Sequence, residues 1–145
     1  MADRLVLIVR LAGRRVAFPA AEVEAVVELE GITPAPRAAP HVAGLSALRS
    51  RVLTVIDGLA SLELGCAVAE GLIEAIVVNS GGHPYALLVD EVEDVVETPA
   101  APQTVRAPIG AGWDRIATGM VEVEGDLLLL ADPHLIIAGP AAQAA

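Results

Sequence analysis

Short apolar runs separated by turn residues dominate the start of the chain. The run Arg4–Leu11 is dense in leucine, valine and isoleucine, and a second run, Arg15–Pro19, follows a turn at residues 12–14. Two apolar runs that flank a tight turn predict a β-hairpin. The next segment, Glu22–Glu28, alternates only weakly between apolar and polar residues, so a helical turn and a strand both remain open there.

A second predicted hairpin, Gly44–Asp57, has a charged tip. Its sequence, GLSALRSRVLTVID, places apolar residues on both sides of a turn made of Arg49, Ser50 and Arg51. Anchored strands would hold the two guanidinium groups in solvent at the bend. Two interpretations remain open at this point: the arginines contact a partner, or they only keep the hairpin soluble.

The segments around this hairpin indicate a loop before it and a short helix after it. Residues 32–40 contain three prolines, which cannot donate ladder hydrogen bonds and therefore mark a loop. Gly58–Leu64 predicts one or two turns of helix that end at Gly65.

The pattern then repeats in the second half of the chain. VAFPAAEVEAVVE (residues 16–28) aligns with YALLVDEVEDVVE (residues 85–97) at an offset of 69, and the two segments share the pattern EVExVVE. A longer proline-rich loop raises the offset to 75, so that Gly44 falls on Gly119 and Asp57 on Asp132. The alternative is chance similarity between valine-rich strands, but the matched turns, loops and aspartates favour an internal duplication.

The duplication predicts the fold. Two copies, at about residues 4–69 and 74–138, with some five short strands each predict a mainly β protein with short helices, built of two small five-stranded β-barrels. We expect a single domain over residues 1–145, with the barrels adjacent or intertwined. Neither barrel would bury much core alone, so their shared interface should be apolar.

The tip of the second hairpin has a counterpart of opposite charge. The aligned segment Gly119–Asp132, GMVEVEGDLLLLAD, carries Glu124, Gly125 and Asp126 at its tip. Two arginines at one tip and two acids at the other favour the interpretation that both tips contact partners. Arg51, Ser50, Glu124 and Asp126 are therefore candidate partner contacts together with Arg49.

Charge differs between the halves of the sequence. Residues 1–69 hold seven arginines and seven acids, whereas residues 70–145 hold two arginines and twelve acids. We expect two electrostatically different faces. The net charge of −10, the absence of lysine and the presence of only three aromatic residues argue against nucleic-acid binding.

Other classes of protein are also disfavoured. No apolar stretch approaches the ~20 residues that a membrane-spanning helix requires. The single Cys66 excludes an internal disulfide and fits a reducing cytosol. A mean hydropathy of +0.62, although inflated by 27 alanines, suggests that apolar surface is left for partners.

No catalytic, cofactor-binding or metal-binding residue is predicted. The three histidines are isolated in sequence and lack the spacing of a ligand motif. An acidic cluster is the one alternative; it could bind a cation, but it more simply forms the solvated face of a strand whose other side buries Val92, Val95 and Val96. The cluster consists of Asp90, Glu91, Glu93, Asp94 and Glu97.

Over residues 4–138 the chain resembles the CheW-like domain family, the coupling proteins of bacterial chemotaxis. The resemblance rests on the order and spacing of six segments rather than on any single motif. They are Val23–Val27, GLSALR at residues 44–49, VLTVID at 52–57, LLVDEVEDVV at 87–96, TGM at 118–120 and LLLLAD at 127–132. In place of the asparagine, leucine, arginine and glycine usual at the family's hairpin, this chain has Ala47, Leu48, Arg49 and Ser50.

The resemblance implies a non-catalytic adaptor without cofactors. Family members link methyl-accepting chemoreceptors to the regulatory domain of the histidine kinase CheA. Receptor contact in such proteins implies roles for Val23, Gly44, Arg49 and Val95, and kinase contact uses the barrel ends. The implied location is the cytoplasm, at receptor arrays on the inner face of the membrane, without membrane insertion.

The leading hypothesis is therefore chemoreceptor–kinase coupling. The first alternative is an adaptor of the same fold in another two-component pathway. The second is a metal-binding protein or enzyme that uses the acidic cluster.

Overall fold

The computed structural model describes residues 4–65, 73–98, 103–105 and 108–140, which form ten strands and short helices. The predicted mainly β fold is confirmed. The strands are β1 (Arg4–Leu11), β2 (Arg14–Pro19), β3 (Ala25–Leu29), β4 (Val42–Leu48), β5 (Arg51–Asp57), β6 (Ile73–Ser80), β7 (His83–Leu88), β8 (Glu91–Thr98), β9 (Ala117–Val123) and β10 (Asp126–Ala131). The helices are a 3₁₀ turn (Ala20–Glu22), α1 (Gly58–Ser61), α2 (Ala111–Ile116) and α3 (Pro133–Ala138).

The strands form two five-stranded sheets of the same topology. Sheet A has the order β8-β1-β2-β10-β9, and sheet B has the order β3-β6-β7-β5-β4. At the two offsets found in the sequence, each strand of one sheet corresponds to the strand in the same place in the other. The copies exchange strands, because each sheet takes the first hairpin of one copy and the last three strands of the other.

This exchange changes the expectation about charge. Sheet A combines the arginine-bearing strands β1 and β2 with the acidic strand β8, so the neutral and acidic halves of the sequence do not form separate faces. The Arg15 Nε–Glu93 Oε1 distance is 2.9 Å and the Arg10 Nη2–Glu93 Oε2 distance is 3.5 Å. Charge is therefore not divided between the two halves of the sequence in the fold, and two electrostatically different faces stay a prediction.

Each sheet curls until its two edges meet, and among the residues described each pair of edges is joined by one bridge. In sheet B, Thr33 and Leu45 exchange two backbone hydrogen bonds, each with an N–O distance of 2.8 Å. In sheet A, Gln103 and Met120 exchange the equivalent pair, also at 2.8 Å. The matching bridges show that both halves of the fold close in the same way.

Three apolar clusters form the core of the described part of the chain. One lies within each curled sheet, and the third and largest lies between them. The shared cluster takes Phe18 from sheet A, Leu87 from sheet B and Trp113 from α2, all of them buried. Burial of apolar surface at about 25 cal/mol per Å² makes this shared core the main stabilising contact between the sheets.

The short helices are fixed by matched caps and by one arginine. The Asp57 carboxylate accepts hydrogen bonds from two amides of α1, and the equivalent Asp132 accepts one from α3. Arg115 of α2 donates to the carbonyl of Ser61 in α1 at 2.7 Å and to that of Leu135 in α3 at 2.6 Å. The segment after Asp57, predicted as one or two helical turns, forms one turn, which ends at Ser61 rather than at Gly65.

The structure decides two local expectations, one about secondary structure and one about side-chain burial. The ambiguous segment Glu22–Glu28 contains the end of the 3₁₀ turn followed by β3. In β8, Val92 and Val96 are half-buried but Val95 is 51% exposed, so the expectation that all three valines are buried was wrong. Val95 and Val96 are neighbours on a strand and must point to opposite faces. Cys66 lies outside the described residues.

Candidate partner-binding surface

The hairpin β4–β5 holds its tip at the end of sheet B. Leu53 and Val55 alternate inward into the core of that sheet, and Leu48 pairs with Arg51 to close a two-residue turn. Because the strands are anchored on both sides of the turn, Arg49 and Ser50 are presented on a defined backbone and are exposed.

The left-handed residue in this turn is the arginine. Arg49 has a φ of 58°, whereas Ser50 has no positive φ. The equivalent turn between β9 and β10 has a φ of 51° at Glu124 and 86° at Gly125. Ser50 therefore does not adopt the left-handed conformation of the equivalent Gly125. Arg49 carries a non-glycine left-handed backbone, which costs about 1 kcal/mol or more.

Arg51 is paired within the molecule. Its Nη1 donates to the Glu24 carboxylate at 2.7 Å, and the same carboxylate also accepts a hydrogen bond from the Asn79 amide. The bond from Arg51 is the largest cause holding the pKa of Glu24 below its ordinary value of 4.5. Glu24 thus ties the start of β3 to the tip of β4–β5.

Arg49 differs from Arg51 because its guanidinium makes no hydrogen bond or ion pair with any residue that the structure describes. It lines two neighbouring cavities, of about 610 Å³ and 280 Å³. Both lie between β3 and the β4–β5 hairpin, and Leu48 lines both as well. Of the two arginines at the tip, Arg49 is therefore the one free to bind an acidic group.

The acidic tip in sheet A is built on the same plan. Glu93 corresponds to Glu24 and accepts from Arg10 and Arg15, while Arg15 Nη1 also lies 3.8 Å from Asp126 Oδ2. Asp126 is thus weakly paired, as Arg51 is paired in sheet B. Glu124, the equivalent of Arg49, is exposed. Each tip thus exposes the charged residue at its first turn position, and the charged residue just after the turn is paired with an oppositely charged side chain.

A family model for the CheW-like domain matches residues 5–140, nearly the whole chain. The chain belongs to the CheW-like domain family. Among solved structures, the scaffolding protein TtCheW from Thermoanaerobacter tengcongensis matches with a TM-score of 0.77 and 18% identity, over 90% of this chain and 89% of that one. At this level of identity, the structural match establishes a common fold and nothing beyond it. No curated protein sequence matches the chain.

The residues implied as receptor contacts by the CheW-like pattern do not form one cluster. Val23 is half-buried against the shared core, and Gly44 is buried beside the Thr33–Leu45 bridge. Val95 is exposed on β8, in the other sheet. Only Arg49, among these four, combines exposure with an unpaired polar group.

The structure adds exposed apolar side chains, of which sequence reasoning had named only Val95. Val26 and Val52 are 48% and 63% exposed on sheet B, and their equivalents Val95 and Leu127 are 51% and 49% exposed on sheet A. The matched offsets could have revealed them, because the same outward strand positions are apolar in both copies where solvent-facing positions are usually polar.

Two further observations concern chemistry and membranes. Within the described residues, no group of three histidine, cysteine or acidic side chains lies close enough to hold a metal ion. In the same part of the chain, no helix has the length and apolar character that crossing a bilayer requires.

Proposed function

We propose that this protein is a non-catalytic adaptor that couples methyl-accepting chemoreceptors to the histidine kinase CheA. The observation that carries the proposal is the CheW-like family match over residues 5–140. The structural relative TtCheW is itself named as a scaffolding protein. In this proposal the chain works in the cytoplasm at receptor arrays, on the inner face of the membrane.

Arg49 is the proposed central contact. It is exposed, unpaired among the described residues, and held on a closed two-residue turn. Because the closed turn already fixes its backbone, Arg49 loses little backbone freedom when its guanidinium binds a carboxylate. Arg51 serves as a positioning residue, since its ion pair with Glu24 fixes the hairpin against β3.

The two tips are proposed to meet different partners. Glu124 and Asp126 present negative charge where Arg49 and Arg51 present positive charge, on equivalent turns. Opposite charges steer and select different surfaces. This division gives one small domain the two specific contacts that a coupling protein needs.

A pull-down tests the role of Arg49. The Arg49→Glu variant should lose at least tenfold in affinity for the receptor or the kinase, because a charge that pairs would become one that repels. Arg37→Glu is the matched control, with the same charge change at an exposed arginine in the proline loop. Equal losses in both variants, or no loss in either, would reject the proposed contact.

An adaptor of another two-component pathway is the second candidate. The observation favouring it is the tip sequence, which has Ala47 and Ser50 and places its left-handed residue at Arg49. If the chain binds the histidine kinase of another two-component pathway and does not bind CheA in the same pull-down, this second candidate is favoured.

A further inference from the structure

The opening between β3 and β4, here called the seam, is bounded by residues 24–33 on one side and 45–49 on the other. Its strands are the two edges of sheet B. Among the described residues they are joined by backbone hydrogen bonds only at Thr33–Leu45. Between this bridge and the hairpin tip, the two edges face each other without a ladder.

The β4 side of the seam has an unused backbone donor and acceptor. The two-residue turn closes on the hydrogen-bonded pair Leu48–Arg51, so Ser46 and Leu48 direct their backbone groups toward β5. Leu45 faces the other way and bonds Thr33. Ala47 follows Leu45 by two residues, so its N–H and C=O also face the seam.

The β3 side has the same property. The hairpin β6–β7 closes on Ser80–His83, which directs the even-numbered residues of β6 toward β7 and leaves Ala75 to bond Val27 in β3. The backbone groups of Val26 and Glu28 therefore face the seam. Both sides are free sheet edges, the surfaces on which an added strand forms main-chain hydrogen bonds.

The space and charge of the seam define what fits. The cavities of about 610 Å³ and 280 Å³ lie along it and have apolar walls that include Leu48 and Val26. Arg49 stands at the tip end without a partner in the described chain. Glu28 and Glu30 line the larger cavity toward the other end.

We propose that the seam binds an extended segment of a partner protein by strand addition. About four residues, or 13 Å of strand, would span it. The segment has alternating apolar side chains, an acidic residue beside Arg49 and a basic residue toward Glu28 and Glu30. This inference deepens the proposed function and rests on it only in taking the partner to be a protein.

The corresponding edge strand of sheet A, β9, carries charges that select against the same segment. Glu122 corresponds to Ala47 and Glu124 corresponds to Arg49, so that edge carries two negative charges and no arginine at its tip. An acidic residue favoured at Arg49 would be repelled there. Sheet A therefore supplies the control within the same molecule.

Selection from a displayed library of random octapeptides tests the proposal. Peptides that bind the wild-type chain should share the alternating pattern with an acidic end. Ala47→Pro should weaken them at least tenfold, because proline removes the N–H that faces the seam. Proline at an edge position whose N–H is unused leaves the ladder to β5 intact. Glu122→Pro, the matched substitution in sheet A, should leave binding unchanged.

Amide hydrogen exchange on the wild-type chain supplies a second readout, which does not require the Ala47→Pro variant to fold. With a selected peptide bound, exchange at Ala47, Val26 and Glu28 should slow, whereas exchange at Glu122 should not.

Failure to select any peptide, equal binding by Ala47→Pro, or no added protection would each overturn the proposal. So would a self-association abolished by Ala47→Pro, since the occupant would then be a second copy. The two proposals can fail separately. If Ala47→Pro loses peptide binding but keeps receptor and kinase binding in the pull-down, the seam binds a partner segment other than those two contacts.

Discussion

Replacing Gly44 by alanine should destabilise the protein by opening the bridge that closes sheet B. A Cβ at this position would lie 2.2 Å from the carbonyl oxygen of Thr33 and 2.9 Å from a methyl group of Ile32. Gly44 also has a φ of 149°, a conformation that costs an L residue about 1–3 kcal/mol. Moving Thr33 away would sacrifice its two bonds with Leu45, at about 0.5–1.5 kcal/mol each. Together these terms give an expected loss of about 2–6 kcal/mol.

Urea unfolding followed by the fluorescence of the buried Trp113 measures this loss. Two glycines serve as controls. Gly13 has a φ of 78° and Gly31 has no positive φ, and a Cβ added at either would meet no atom within 4 Å beyond its chain neighbours. Gly13→Ala should cost about 1 kcal/mol and Gly31→Ala less than about 0.5 kcal/mol.

The result bears directly on how Gly44 acts. The family resemblance implies a receptor contact, whereas the structure shows a buried glycine required by its neighbours. If Gly44→Ala retains wild-type stability but loses partner binding, the structural explanation is refuted and Gly44 is a direct contact.

Three further predictions concern the helices and the ion pair. Arg115→Met should cost about 2–4 kcal/mol in urea unfolding, because it leaves the carbonyl of Ser61 without its charged donor. Asp132→Ala should cost about 1 kcal/mol, measured by thermal unfolding, through loss of the α3 cap; an unchanged midpoint would contradict the cap. The lowered pKa of Glu24 means that its pair with Arg51 contributes stability above the ordinary value of 4.5 and loses it as pH falls through the folded pKa. Arg51→Ala should raise the Glu24 midpoint in a ¹³C NMR titration, and an unmoved midpoint would deny the pairing.

The sequence predicted the features that repeat at a fixed offset. Most strands of both copies, the opposite charges of the tips and the alignment of Asp57 with Asp132 were visible in aligned segments, whereas β3 was left open. The structure shows that the two aspartates cap α1 and α3. Each of these depends on local patterning, in which alternation defines a strand and an aspartate before a helix defines its cap.

The features that were missed depend on which strands become neighbours. Alternation does not specify that β5 pairs with β7 or β10 with β2, so the strand exchange could not be read from it. The pair Arg51–Glu24 likewise joins residues that no local pattern connects. The shared EVE pattern held a clue, because Glu24 and Glu93 occupy the same position in both copies and both accept from arginine.

The open seam was also beyond sequence reasoning. Ala47 resembles any other small residue of a strand, and its role follows only from the register of β4 against β5 and from the single bridge at Leu45. An edge becomes visible once the order of strands is known. Glu122, at the equivalent position in sheet A, also lies on an edge strand and is exposed.

Co-sedimentation of the kinase with receptor-containing vesicles tests the central claim most directly. The chain is mixed with vesicles bearing a methyl-accepting receptor and with the regulatory domain of CheA, and the pelleted kinase fragment is measured with and without it. An adaptor predicts that the fragment pellets only when the chain is present, and that Arg49→Glu reduces this at least tenfold while Arg37→Glu does not. Equal pelleting of the kinase fragment with and without the chain would contradict coupling.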